Sequence, residues 1–200
     1  MGKNQSLNSP FPLILASTSK YRQQLLTQLG MPFISIAPDF DEDLLKDKGF
    51  APAELSKELA KNKALSVFKN HIDSCVIGSD QVCVLGNQIL SKPKTTERAI
   101  EQLLKLQGKS HELMTSVCLL FPGGQIQFTN HTSLIMRKLS EGDIIRYVNA
   151  DQPLDCAGSY KLESLGIKLF EAISMTDHTA IIGLPLIELN NHLIKIGYNL

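Results

Sequence analysis

The seven residues Leu13-Ile14-Leu15-Ala16-Ser17-Thr18-Ser19 constrain the fold more than any other stretch of the chain. Four consecutive apolar residues followed at once by a hydroxyl-rich stretch read as a short buried strand running into a polar loop. Ser19 then stands where an N-cap belongs, and Leu25, Leu26 and Leu29 fall on one helical face before Gly30, which suits the left-handed position that ends a helix. The opening unit is strand, polar loop, helix. Free N–H groups and the positive end of the helix dipole face that loop, a setting that favours an anion.

The rest of the chain alternates in the same way. Phe33 to Ala37 predicts a second strand, which runs into the acidic residues Asp39, Asp41, Glu42 and Asp43, and a helix is expected from Pro52 to about Asn70 with Leu55, Leu59 and Phe68 in the core. Cys75 to Gly78 predicts a buried strand that continues through Ser79-Asp80-Gln81 to Leu85, and Gly86-Asn87 signals a hairpin returning through Ile89-Leu90. Thr95 or Thr96 caps a helix whose core residues are Ala99, Ile100, Leu103 and Leu104, stopped by Gly108. Two extended runs, Leu113 to Phe121 and Gln125 to Met136, flank Pro122-Gly123-Gly124. Ser140 with Asp143 caps a helix to about Asn149. Strands are expected around Ile167 to Phe170 and Ala180 to Ile182, and a last helix from Pro185 to Ile196. The expected architecture is mixed α/β, with helices packed around a twisted, largely mixed sheet.

A chain of 200 residues, 43% of them hydrophobic, can bury a sizeable core as one domain or two intimately packed lobes. Lys plus Arg equals Asp plus Glu at 20 each, so no global field draws the protein to nucleic acid or an anionic membrane, and any phosphate affinity must be local. Residues 1–10, MGKNQSLNSP, lack the apolar centre of a signal peptide and read as a flexible extension. No apolar run reaches the roughly twenty residues that span a bilayer, so a cytoplasmic location is expected. Cys75, Cys83, Cys118 and Cys156 are widely spaced without a C-x-x-C pair and read as reduced thiols.

Several residues can carry chemistry. Arg22, one turn into the first helix, can point its guanidinium at the Ser17-Thr18-Ser19 loop. Lys61 and Lys63 share a charge-rich helix, where at least one belongs to a solvated face. Lys92 precedes Pro93 and is held in an extended backbone. Asp80 follows the apolar run Val76-Ile77-Gly78, where a carboxylate is costly unless paired, hydrogen-bonded or bound to metal. An anion-binding loop, separate cations, and carboxylates suited to Mg²⁺ together point to a phosphate-handling site more strongly than any one of them does.

The strings LILASTSKYRQQLLTQLG, DFDED, LAKNKA, IGSDQV, SKP, DCAGSYKLESLG and IIGLPL, in that order, resemble the Maf family of nucleotide pyrophosphatases. The resemblance covers the chain from about Leu13 to the last helix and implies one domain over residues 11–200. It implies a Maf/ITPase-like α/β fold with two lobes around a substrate cleft. It also implies hydrolysis of a nucleoside triphosphate to monophosphate and pyrophosphate, with a divalent cation, Mg²⁺ or Mn²⁺, as cofactor. Carried over by motif, Ser17, Arg22, Lys63 and Lys92 bind phosphate, Asp80 is the proton acceptor, and Glu42 joins Asp80 at the metal or catalytic centre. Family members are often homodimers, although no residue here marks an interface.

Lys20-Tyr21-Arg22, Asp80-Gln81 and Glu163 stand where the commonest family pattern has Pro-Arg-Arg, Asp-Thr and Gln. That combination looks like the branch acting on 7-methyl-GTP, although Lys20 replaces a typical proline and Tyr21 a frequent tryptophan. Tyr21, Gln81 and Glu163 are then the specificity positions. An aromatic face attracts the cationic N7-methylated purine, and a carboxylate accepts from guanine N1 and N2. Competing expectations are a dTTP or UTP pyrophosphatase, a nucleotide-binding regulator of cell division, and an aspartate-nucleophile phosphatase built on Asp39-Phe40-Asp41.

Overall fold

The computed structural model describes residues 10–46 and 48–199. The expected flexible extension, apart from Pro10, lies outside the described residues. In chain order the elements are β1 (Leu13–Ala16), α1 (Lys20–Thr27), β2 (Phe33–Ile36), α2 (Asp43–Lys46), α3 (Pro52–Phe68), β3 (Cys75–Leu85), β4 (Gln88–Leu90) and α4 (Thr96–Leu106). They continue as β5 (Ser110–Phe121), β6 (Gly124–Met136), α5 (Glu141–Asp151), β7 (Phe170–Ser174) and α6 (Leu186–Lys195).

The strands form one mixed sheet in the order β2-β1-β3-β5-β6-β7, with β4 added to β3. β1 runs parallel to both β2 and β3, and every other pair is antiparallel. The long strand β3 changes neighbour partway along one edge. β1 pairs with Cys75, Val76 and Ile77, whereas β4 pairs with Cys83, Val84 and Leu85. On the other edge β5 accompanies β3 throughout, from Val76 to Val84. Residues 78–82 therefore lack a ladder partner on one side, and that gap, beside the carboxyl end of β1, opens the cleft. A sheet crevice beyond strand carboxyl ends is where α/β folds commonly bind ligands.

Two main apolar clusters flank the gap. One joins Leu13, Leu15, Leu25, Leu26, Ile77, Leu184, Leu189 and Leu193, and the other joins Cys83, Leu90, Leu103, Leu106, Leu113, Leu134, Ile144 and Tyr160. β5 and β6 run through both, making the two lobes around a common sheet. In β6 the residues from Phe128 to Met136 alternate between buried and less buried, the period-two pattern of a strand with one face on the core.

Several boundaries differ from the expectations. Ile167 to Phe170 is a 3₁₀ turn over Leu165–Leu169, and the strand starts only at Phe170. Of that stretch Ile167 is 54% exposed, so its apolar character does not mark a core strand. Ala180–Ile182 is also a 3₁₀ turn, closed by Gly183 at φ +115°, where an L side chain is strained. Its carbonyls face side chains rather than a neighbouring strand. The one-turn helix α2 was not expected, and Leu104 is exposed while Leu106 is fully buried. By contrast, the Thr95 cap and the Ser140–Asp143 capping box form as anticipated.

Candidate active site

The close approach of α3 to β3 builds the centre of the cleft. An added Cβ at Gly78 would sit 2.1 Å from the Ala60 carbonyl oxygen, so only glycine permits this spacing. Asp80 lies two residues further along the strand, on the same face. On α3, the residues Leu59, Ala60, Lys63, Ala64 and Val67 are buried together at helical spacing, so Lys63 belongs to the sheet-facing side, whereas Lys61 is only half-buried. Lys63 Nζ lies 2.6 Å from Asp80 Oδ1 and 2.8 Å from Glu42 Oε1. Glu42 comes from the loop before α2, so three separate segments converge on one ammonium group.

Burying such charges costs desolvation energy that a pair only partly repays. Lys63 and Asp80 are each 7% exposed, and the Glu42 side chain is 41% exposed. The arrangement places one cation between two carboxylates at the floor of a cleft of about 900 Å³. Among the described residues, no group of three or more His, Cys, Asp or Glu is placed to hold a metal ion.

Arg22 is oriented from two directions. Its backbone N–H donates to the Ser19 cap at 3.4 Å, and its Nε donates to the Gly183 carbonyl at 2.9 Å. Burial pulls its pKa down, while Asp80 and then Glu42 oppose that fall, and the guanidinium stays charged at any working pH. With Nε committed to Gly183, the terminal nitrogens are the part of the fork available to a ligand. Gly183 O also accepts from Ser79 Oγ at 2.9 Å.

Ser17 is 5% exposed, lies beneath the loop, and accepts from the Ser19 N–H at 3.1 Å, whereas Ser19 itself lines the cleft. The structure therefore gives Ser17 a visible part in shaping the loop. Gln81 lines the wall and donates through Nε2 to Thr115 Oγ1 and the Ala180 carbonyl, both at 2.9 Å, and to the Ile181 carbonyl at 3.1 Å. Tyr21, Lys92 and Glu163 also line the cleft, all of them exposed. Nearby, Lys94 Nζ pairs with Asp155 at 2.7 Å.

The Glu163 loop is braced from below. Ser164 Oγ donates to Asp151 Oδ1 at 2.6 Å, Lys161 Nζ donates to the Asp151 carbonyl at 2.7 Å, and Gly166 N–H closes onto the Lys161 carbonyl at 2.9 Å. Sequence reasoning missed Ser79, Thr115 and the carbonyls of the 180–183 turn. Ser79 stood in view beside Asp80, but nothing in a string of apolar residues marks carbonyls that serve side chains.

All four cysteines are free, and burial pushes Cys75, Cys83 and Cys118 up to about 12 and Cys156 up to about 11. Such thiols stay protonated and unreactive at neutral pH.

The Maf-like protein family matches residues 12–196. The 7-methyl-GTP pyrophosphatase of Bdellovibrio bacteriovorus is 49% identical over 177 residues, spanning 88% of this chain and 93% of that protein. Proteins of the same name from Pseudomonas putida and Vibrio cholerae are each 47% identical, covering 93% and 94% of this chain and 97% of their own. Among solved structures, a HAM1 protein from Coxiella burnetii has a TM-score of 0.47 at 13% identity, covering 92% of this chain and 99% of that one. A family match from residue 12 to residue 196, with relatives at 47–49% identity across most of their length, places this chain in the Maf family.

Proposed function

We propose that this protein hydrolyses the α–β phosphoanhydride of a nucleoside triphosphate, giving the monophosphate and pyrophosphate, with 7-methyl-GTP as the preferred substrate. The observation that carries the reading is Lys63 bridging Asp80 and Glu42 at the floor of the cleft, with Arg22 coupled electrostatically to both carboxylates. Relatives named 7-methyl-GTP pyrophosphatases support it.

Each side chain has work that follows from its setting. Arg22 offers its terminal nitrogens to phosphate oxygens, its Nε being held by Gly183. Lys63 rests on Asp80 Oδ1, which leaves Oδ2 as the oxygen to take a proton from the attacking water. Lys92, exposed at the rim, adds positive charge for the leaving pyrophosphate. Tyr21 presents its ring to the methylated purine, and Glu163 accepts from the guanine edge.

Glu42 and Asp80 suit a divalent cation. Mg²⁺ is commonly held by one or two carboxylates, with substrate phosphates and water completing its shell. Glu42 and Asp80 are two such carboxylates, and among the described residues no group of three or more His, Cys, Asp or Glu is placed to hold a metal ion without substrate. Bound there, Mg²⁺ or Mn²⁺ supplies charge neutralisation on the phosphate oxygens. Among the described residues no helix is long and apolar enough to cross a membrane, and the proposed setting is the cytoplasm.

The test is turnover with Mg²⁺ of 7-methyl-GTP, GTP, dTTP, UTP and CTP, with products resolved chromatographically and Asp80→Ala in parallel. Monophosphate and pyrophosphate, formed fastest from 7-methyl-GTP and absent in the variant, is the expected result. Faster turnover of dTTP or UTP would remove the base preference, and no turnover of any nucleotide would remove the reaction.

A further inference from the structure

The string Asp177-His178-Thr179-Ala180-Ile181-Ile182-Gly183 holds a buried carboxylate that the chemistry above does not use. Asp177 is 2% exposed, and no ion-pair partner accompanies it among the described residues. Its acceptors are filled by neutral donors. Oδ1 receives Thr179 N at 3.0 Å and Thr179 Oγ1 at 2.6 Å, and Oδ2 receives Ile187 N at 2.7 Å. Thr179, itself 3% exposed, accepts the Leu186 N–H on its Oγ1 at 2.8 Å. The two side chains thereby satisfy the first two orphan N–H groups of α6, whose cap residue is a proline without a capping side chain.

More than helix capping depends on this. The same bonds tie the start of the 179–185 loop to its end, and that loop carries three carbonyls that reach the cleft. Ala180 O and Ile181 O hold Gln81, and Gly183 O holds Arg22. A shift of the loop would misplace Arg22 and Gln81 together, and displacements of about 1 Å at such distances can cost catalysis on the order of a hundredfold.

We infer that Asp177, acting with Thr179, is a positioning residue that fixes the 180–183 carbonyls and through them the Arg22 guanidinium. Its consequence for catalysis rests on the proposed nucleotide hydrolysis, whereas its consequence for Arg22 does not. The buried carboxylate is held at this place because neutral donors on both sides of the loop require an acceptor with two oxygens. Asparagine would turn one of those oxygens into a donor facing a donor.

The closing experiment follows solvent exchange of the Arg22 Nε–H by NMR of protein labelled at arginine, in wild type, Asp177→Asn, Thr179→Val and Thr179→Ser. Exchange should speed up by about tenfold or more in the first two variants and stay at the wild-type rate in Thr179→Ser, which keeps the hydroxyl. The Val76 and Ile77 amides of β3 report global opening and should not change. Arg22 exchange that is unaltered, or that rises only in step with those β3 amides in both variants, overturns the inference whether or not any nucleotide is cleaved. In active enzyme, Asp177→Asn should lower kcat/KM for 7-methyl-GTP about tenfold, and by less than about twofold when Arg22 is already methionine. Equal losses in both backgrounds would contradict action through Arg22. A wild-type protein inert towards every nucleotide would sink the proposed function while the exchange result still decides the role of Asp177.

Discussion

The floor of the cleft and its rim are built on opposite principles. At the floor, Lys63 and Asp80 are almost fully buried and lock to each other and to Glu42 at 2.6 and 2.8 Å, on a helix and a strand held together by Gly78. At the rim, Tyr21, Lys92 and Glu163 are exposed, and no hydrogen bond or ion pair among the described residues fixes their side chains. The floor has its geometry before any ligand arrives. In the proposed function the rim acquires its own when a base or phosphate fills it. Rate should therefore be sensitive to the floor, and choice of substrate to the rim.

Removing the proposed proton acceptor should have the largest effect. Asp80→Asn keeps the shape of the floor and should lower kcat by about a thousandfold with little change in KM, measured by steady-state hydrolysis. A loss of less than tenfold would break the contrast. Lys63→Met should lower kcat/KM about a hundredfold, and it also leaves two carboxylates facing each other. Its unfolding free energy in urea should fall by about 2 kcal/mol, below the value for a fully buried pair because Glu42 is 41% exposed on its side chain. Adding Glu42→Gln should restore part of that stability without restoring rate.

Beneath the rim the protein buries a titratable group with no charge partner among the described residues. Tyr160 lines the cleft, and its hydroxyl meets His111 Nε2 at 3.0 Å. Burial lowers the His111 pKa from 6.5 to about 4, opposed in part by its contact with the Lys109 backbone. The unfolded chain thus takes up a proton below pH 6.5 that the folded chain refuses until about pH 4. Stability should fall as pH drops through that window, by about 3 kcal/mol, and level off below it. Urea titrations at stepped pH check this, and His111→Gln should flatten that part of the profile.

The smallest effects belong to the rim. Tyr21→Ala should reduce the preference for 7-methyl-GTP over GTP by about fivefold to tenfold, the size of a cation–π contact, with kcat for GTP little changed. Glu163→Gln should reduce the same ratio to a similar or lesser degree. A collapse of kcat in either variant would mean that the rim takes part in the chemistry.

Two of the three floor residues were legible in the sequence because they sit in strong periodic elements, whereas Glu42 comes from a loop. Asp80 interrupts an apolar strand, and Lys63 falls in a helix bounded by Pro52, so both could be placed before any coordinates. Charge alone did not separate Lys61 from Lys63, which share one charged stretch, whereas the motif resemblance named Lys63, and the structure buries it on the sheet-facing side with Leu59 and Ala60. The 165–169 and 180–182 segments misled for a related reason. Apolar residues there predict strands, yet the Lys168 carbonyl takes the Arg137 Nε, the Ala180 and Ile181 carbonyls take the Gln81 amide, and Gly183 just beyond holds Arg22. Ser17 shows the converse case. Its motif is easily read, but its hydroxyl supports Ser19 from underneath.

Hydrolysis of 7-methyl-GTP in ¹⁸O-labelled water, with mass spectrometry of every product, tests the central claim most directly. Attack at the α-phosphorus predicts one ¹⁸O in 7-methyl-GMP and none in pyrophosphate, whereas label in pyrophosphate, or release of labelled orthophosphate, would contradict it.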